Sequence, residues 1–376
     1  MTPIYALAAG GTGGHLFPAE AVARLLVAQG AAVHLLTDRR ADAFAAAVPG
    51  VTIDLVRAGR FGGGPLRAAY GLAELAIGLV QARRLLRRLA PGAVIGFGGY
   101  SSVPTMLAAA QLGLPTLIHE QNAVFGRANR LLAPRAQQIA TGFATTQGLR
   151  SSDRDRAVHT GNPVRPAIRA VGEAPYAPPG ATIELLVIGG SQGARIFGEI
   201  VPPALGLLPA ALRARLRVSQ QARPEDREAV AAHYGSLAID AEIQSFFTDM
   251  PTRLRRAHLV ICRAGASTIA ELAAAGRPAI LIPYPHAMDD HQSANATAFA
   301  ASGGGWAVAQ PEFSAVALAD RLVALAASPG ALARAAGAAR DFSPGDAAER
   351  LAALVHGLAP GPNGGPRPTE QLERAA

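Results

Sequence analysis

A chain of 376 residues, 50% hydrophobic and 16% charged, is long enough for two ordinary domains and too apolar to be intrinsically disordered. All 35 basic residues are arginine, which excludes a Walker-type phosphate loop and a pyridoxal Schiff base because both need a lysine amine; the lone Cys262 excludes an internal disulfide and thiolate-rich zinc sites and points to the cytosol. A net charge of +8 calls for an anionic partner, while 5% aromatic residues are too few for a base-stacking platform, so a phosphorylated ligand or an anionic membrane surface is expected and nucleic acid is not.

Met1 leads straight into the strand-like run Ile4–Ala9 with no basic region before it, so no secretory signal is expected. Further strand-like runs follow at Ala31–Leu36, Ala93–Phe97, Thr116–His119, Ile183–Ile188, His258–Ile261 and Ala279–Ile282. Helix-like stretches lie between them at Ala19–Gln29, Val103–Gln111, Ile196–Leu208, Ser267–Ala275 and Asp290–Ala301. Strands alternating with helices predict an α/β protein with parallel sheets. The strand–glycine loop–helix opening occurs twice, at Gly10-Gly11-Thr12-Gly13-Gly14 and at Gly189-Gly190-Ser191-Gln192-Gly193, which predicts two Rossmann-like, doubly wound domains facing a cleft. The boundary is expected between Asn162 and the Pro-rich stretch ending at Gly180, giving domains 1–162 and 163–343; the Pro/Gly-rich segment 359–376 is expected to be disordered.

Several segments carry chemistry. Gly10–His15 is a glycine-rich turn entering a helix, where backbone N–H groups hold anions; His15 there is a candidate general base, or alternatively only a helix cap. Ser191 offers a hydroxyl to a phosphate oxygen, and Arg195 is either a phosphate partner or a surface arginine. Gly265–Thr268 suit a helix N-terminus that grips a diphosphate, with Glu271 one turn in to accept from ribose hydroxyls; the competing reading is a capping box of Ser267 or Thr268 with Glu271. The loop Pro283–Gln292 does not match a metal-ligand spacing and is expected to present His291 and Gln292 to sugar hydroxyls. His119-Glu120-Gln121-Asn122, after a strand, reads as a polar wall of the cleft. Leu66–Leu89 is helical in period, with a core stripe at Leu72, Leu75, Leu79, Ala82, Leu86 and Leu89; Ile77 and Val80 widen the apolar surface beside Arg83, Arg84, Arg87 and Arg88, as for docking on an anionic membrane.

In their order, Gly10–His15, Gly98-Gly99-Tyr100, His119–Asn122, Gly161-Asn162-Pro163-Val164-Arg165, Gly189–Arg195, Cys262–Glu271 and His291-Gln292 resemble the MurG family, which transfers N-acetylglucosamine (GlcNAc) to lipid I to make lipid II in peptidoglycan synthesis. The likeness runs from about residue 4 to 358. It implies the two-domain GT-B glycosyltransferase fold, an inverting, metal-independent reaction with no cofactor, and a last helix near 344–358 that returns to the first domain. Carried over by motif position, Arg165, Ser191, Ala266, Ser267, Thr268, Ile269, Ala270, Glu271 and Gln292 would contact UDP-GlcNAc, and Phe247 would meet the uracil through its backbone. Thr12, Gly13, Gly14 and Asn122 would lie on the sugar and acceptor side, with His15 first and Glu120 second as the base. The resemblance also implies a peripheral place on the cytoplasmic face of the bacterial inner membrane, with UDP-GlcNAc and lipid I as partners. The chain departs from the family at Ser219-Gln220-Gln221-Ala222, where similar proteins have His-Gln-Ser/Thr-Gly. Another UDP-sugar enzyme on the same fold, such as a UDP-GlcNAc 2-epimerase, and a non-catalytic sugar-nucleotide binder are the alternatives.

Overall fold

The computed structural model describes residues 2–10, 13–38, 48–59, 64–190 and 193–359; the expected disorder of the tail therefore falls outside the described residues, apart from residue 359. By its contacts the chain divides into two units, 1–165 with 346–376, and 166–345. Residues 163–165 thus belong to the first unit.

The first unit holds a parallel sheet ordered β3-β2-β1-β4-β5-β6-β7, with β1 Ile4–Ala8, β2 Ala32–Thr37, β3 Val51–Leu55, β4 Ala93–Gly96, β5 Thr116–Glu120, β6 Gln138–Thr141 and β7 Ala157–His159. Alternation along these strands makes two cores. Leu7, Leu35, Ile95 and Leu117 face Val22 and Leu26 of helix α1 (Gly13–Ala28), whereas Ala6, Leu36, Val94 and Ile118 face Leu86 and Met106 of α2 (Pro65–Leu89) and α3 (Val103–Gln111). A sheet apolar on both faces needs helices on both, which explains the near-continuous hydrophobic runs.

α1 starts at Gly13 and not at the expected Ala19; the glycines and the polar His15 of its first turn hide the start from an apolar-periodicity reading. α2 packs so closely that a Cβ at Gly78 would lie 1.8 Å from the Arg57 carbonyl oxygen. Its buried stripe includes Ala82 and Leu86, but Leu72, expected in the core, is 58% exposed: the inward face is narrower than the leucine pattern. Helix α4 (Arg127–Leu132) packs against β5, where Asn129 Nδ2 donates to the His119 carbonyl (3.2 Å).

The second unit repeats the plan: β8 Ile183–Ile188, β9 Leu216–Gln221, β10 Asp240–Gln244, β11 Leu259–Cys262, β12 Ala279–Leu281 and β13 Gly305–Ala307 form a parallel sheet ordered β10-β9-β8-β11-β12-β13. Numbered within the unit this is 3-2-1-4-5-6, the dinucleotide-fold order. Its helices include α5 (Arg195–Gly206), α6 (Met250–Arg256), α7 (Ala266–Ala275) and α8 (His291–Ala301). The last helix, α9 (Ala347–Leu358), lies against α1 in the first unit, burying Leu351 and Val355; the Tyr5 hydroxyl and His356 Nδ1 are 2.8 Å apart.

Candidate active site

In a doubly wound sheet, ligands meet the carboxyl ends of the strands where the winding reverses. In the first unit that point lies between β1 and β4. β1 runs through Gly10 into α1, and β4 runs into Gly98 and Gly99, whose φ of 79° and 71° suit glycine. The His15 ring rests on these two glycines: a Cβ at Gly99 would lie 3.2 Å from His15 Cδ2, and one at Gly98 3.5 Å from Cε1. Gly10 is small for a packing reason, since its Cβ would come within 2.5 Å of Ser101 Oγ. Gly13 and Gly14 form the start of α1, while Thr12 lies outside the described residues. His15 Nδ1 is 3.1 Å from Gln121 Oε1.

The four polar residues at the end of β5 are not an open wall. His119, Glu120 and Gln121 are buried and Asn122 half-buried, because β5 is an interior strand whose end is crowned by 122–129 and by 161–162. The Glu120 carboxylate is fully engaged: Oε1 accepts from Asn122 N (3.0 Å) and Nδ2 (3.2 Å), and Oε2 accepts from Gly126 N and Asn129 Nδ2 (both 2.8 Å). It pins the turn above β5. Burial pushes His119 down from 6.5 to about 4, against the partly offsetting bond to the Gly161 carbonyl and with a small contribution from His15. Arg165 stacks its guanidinium 4.6 Å above the Phe17 ring, inside the first unit.

In the second unit the reversal lies between β8 and β11. Gly189 and Gly190 follow β8, and Ser191 lies outside the described residues. β11 turns through Arg263 and Ala264 into α7, whose N-cap is Gly265 with no side-chain cap bond. The capping box is therefore not made, and the first N–H groups of α7 have no partner within the helix. Ser267, Thr268 and Glu271 are half-buried, whereas Ala266, Ile269 and Ala270 pack inward. Gln292 Oε1 accepts from Tyr284 N (2.9 Å), which leaves its amide NH₂ to donate; His291 Nδ1 is taken up by the Met288 carbonyl (2.7 Å). Arg195 pairs with Glu199 on the exposed face of α5.

Phe247 is buried, and Arg253 of α6 lies 3.8 Å from its ring centroid while pairing with Glu242 and Asp249. At the position of departure, Ser219 Oγ accepts from Arg253 (2.9 Å), and Gln221 bridges Gly189 N to the Ser245 carbonyl (3.1 and 2.9 Å). Sequence reasoning placed Gln121 in a polar wall without a partner and missed Asn129 and Arg253 altogether. The only advance signal was that Arg253 stands four residues after Asp249, as an ion-pairing helix partner would.

A histidine at the reversal point of the first sheet and an uncapped helix N-terminus at that of the second suit a glycosyltransferase that takes a sugar nucleotide, and the family comparison agrees. Residues 5–141 match the glycosyltransferase family 28 N-terminal domain and residues 184–351 its C-terminal domain, so the chain belongs to glycosyltransferase family 28. Among curated relatives, the UDP-N-acetylglucosamine–N-acetylmuramyl-(pentapeptide) pyrophosphoryl-undecaprenol N-acetylglucosamine transferase of Rhodospirillum centenum is 56% identical, covering 100% of this chain and 99% of its own. The protein of the same name from Paramagnetospirillum magneticum is 54% identical over 96% of this chain and 98% of its own. The crystal structure of Acinetobacter baumannii MurG matches with a TM-score of 0.74 at 32% identity, over 94% of this chain and 99% of that one.

Proposed function

We propose that this chain transfers GlcNAc from UDP-GlcNAc to the 4-hydroxyl of N-acetylmuramic acid in undecaprenyl-pyrophosphoryl-MurNAc-pentapeptide, lipid I, to form lipid II. The observation that carries the reading is 56% identity over the full chain with a relative named as that transferase. An epimerase is disfavoured, because the relatives above half identity bear the transferase name.

The acceptor oxygen attacks the anomeric carbon, the bond from that carbon to the diphosphate oxygen breaks with inversion, and UDP departs with the electron pair. His15 Nε2 takes the acceptor proton. Glu120 is the weaker base, since its four hydrogen bonds leave it no orientation toward a substrate. The N-terminus of α7 from Ala266 to Ala270, with Ser191 and Arg165, stabilises the leaving diphosphate. Glu271 takes the ribose hydroxyls, the Gln292 amide a donor-sugar hydroxyl, and the Phe247 backbone the uracil. Thr12, Gly13, Gly14 and Asn122 serve the acceptor side.

The membrane reading is a peripheral one, on the cytoplasmic face. Among the described residues no single helix is long and apolar enough to cross a bilayer. What supports docking is α2, which exposes Tyr70 (69%), Leu72, Ile77 and Val80 and ends in Arg87 and Arg88. Basic residues at an anionic surface contribute about 1 kcal/mol each.

The test is transfer of radiolabelled GlcNAc to a lipid I analogue. Labelled lipid II is expected; donor hydrolysis or epimerisation without transfer overturns the reading in favour of the other enzymes, and binding without turnover favours a carrier.

A further inference from the structure

A neutral imidazole serves as a base through whichever nitrogen lacks the proton, and its partner decides which that is. The partner of His15 is an amide, whose two heads are nearly the same shape, so its orientation must come from its own neighbours. Gln121 Nε2 lies 3.0 Å from the Phe97 carbonyl oxygen, 3.1 Å from the His119 carbonyl oxygen and 3.0 Å from His119 Nδ1. Carbonyl oxygens only accept, so an amide oxygen in that place would be repelled by both. The NH₂ head therefore faces inward and Oε1 faces His15.

The same logic fixes His119. Its Nε2 is 3.2 Å from the Gly161 carbonyl oxygen, so Nε2 carries the hydrogen and Nδ1 receives from Gln121. Full burial keeps this ring neutral. Read outward, each member donates or accepts in only one way, and the last link requires a hydrogen on His15 Nδ1. Among the described residues His15 Nε2 has no hydrogen-bond partner.

We propose that Gln121 is a positioning residue: through an oriented hydrogen-bond chain anchored on the Phe97 and Gly161 carbonyls, it holds His15 in the Nδ1–H tautomer and leaves Nε2 as the proton-accepting atom. The catalytic consequence rests on the reading of His15 as the base. Free histidine favours the opposite, Nε2–H tautomer, so the chain has something to overcome. A glutamine does this without introducing a buried charge, which a carboxylate in the same place would.

The test uses the full chain with ¹⁵N-labelled histidine. The His15 ring signals are identified by their loss in His15→Ala, and the ring-nitrogen shifts report which nitrogen is protonated. Wild type is expected to show Nδ1–H. Gln121→Leu, which cannot accept, should move His15 toward Nε2–H and lower kcat roughly 10- to 100-fold with KM for UDP-GlcNAc unchanged. Gln121→Glu keeps an acceptor facing His15 and should keep the Nδ1–H signature, while its second oxygen, set against the Phe97 and His119 carbonyls, lowers stability. A wild-type ring protonated on Nε2, or a leucine variant with wild-type tautomer and kcat, overturns the proposal. If Gln121→Leu does not fold, the wild-type and Gln121→Glu spectra decide. Undiminished turnover in His15→Ala would sink the base assignment instead, and the tautomer signals would still judge the chain by themselves.

Discussion

At the end of β5 the first unit locks side chains to one another: His119, Glu120, Gln121 and Asn129 hydrogen-bond to each other and to the nearby backbone in a buried network. At the end of β11 the second unit does the reverse, turning through Gly265 into α7 with no side-chain cap and small residues at the first positions. On the proposed function, the difference follows from what each end would handle. A proton must be taken by one nitrogen of one ring, so the ring's tautomer and orientation have to be fixed by neighbours. A diphosphate spreads its charge over several oxygens, and a row of N–H groups with a positive dipole end holds it without any particular side chain. Side-chain networks give chemical identity; a bare helix end gives charge complementarity.

The largest expected effect tests the first half of this contrast. His15→Ala should lower kcat roughly 10²- to 10⁴-fold in labelled-sugar transfer while leaving UDP affinity intact. Loss of UDP binding instead would assign His15 to the donor and dissolve the distinction. Next comes Glu120→Gln. One of its heads becomes an NH₂ facing N–H donors, so global stability in denaturant unfolding should drop by about 3 kcal/mol, the upper range for a buried hydrogen-bonded charge. A Glu120→Gln protein as stable as wild type yet inactive would make Glu120 chemical and not structural.

A change of pH probes the same network without mutation. His119 binds a proton only near pH 4 in the folded chain but near 6.5 when unfolded. The unfolded state therefore holds more protons in this window, and stability should fall as pH drops from about 6.5 to about 4, by roughly 3 kcal/mol, with no further loss from this residue below it. The slope should flatten in His119→Gln; an equal slope in that variant assigns the acid sensitivity elsewhere. The smallest effect belongs to the second unit. Arg253→Met removes the cation over Phe247 and its ties to Glu242 and Asp249, and should weaken UDP binding about 5- to 10-fold by calorimetry. Unchanged affinity would mean that the Phe247 loop holds its shape unaided.

How much could be read in advance varied along the chain. Interior strands such as β1, β4, β8 and β11 announce themselves as apolar runs. The runs picked out missed β3, β7, β10 and β13, which are all sheet edges, half-exposed and therefore mixed in pattern. β6 and β9 escape an apolar-run reading because β6 carries Gln138 and Thr141, and β9 carries Arg217, Ser219, Gln220 and Gln221, within the sheet. Gly265–Glu271 was legible as a helix start because backbone chemistry is local. The burial of His119–Gln121 was not, since it depends on residues 126–129 and 161–162 closing over the strand end.

By itself the sequence determined the two-fold repetition of strand, glycine loop and helix, the parallel class of both sheets, and the ordered motifs of a sugar transferase, because each is written in spacing a few residues long. Only the tertiary structure decided that Glu120 is a brace, because the turn at 122–129 folds back over its carboxylate, and that α9 packs beside α1 and which nitrogen of His15 is open, because those depend on hydrogen bonds between groups dozens to hundreds of positions apart. The direction of a hydrogen bond has no local signature; it is inherited from whatever the fold sets on its far side.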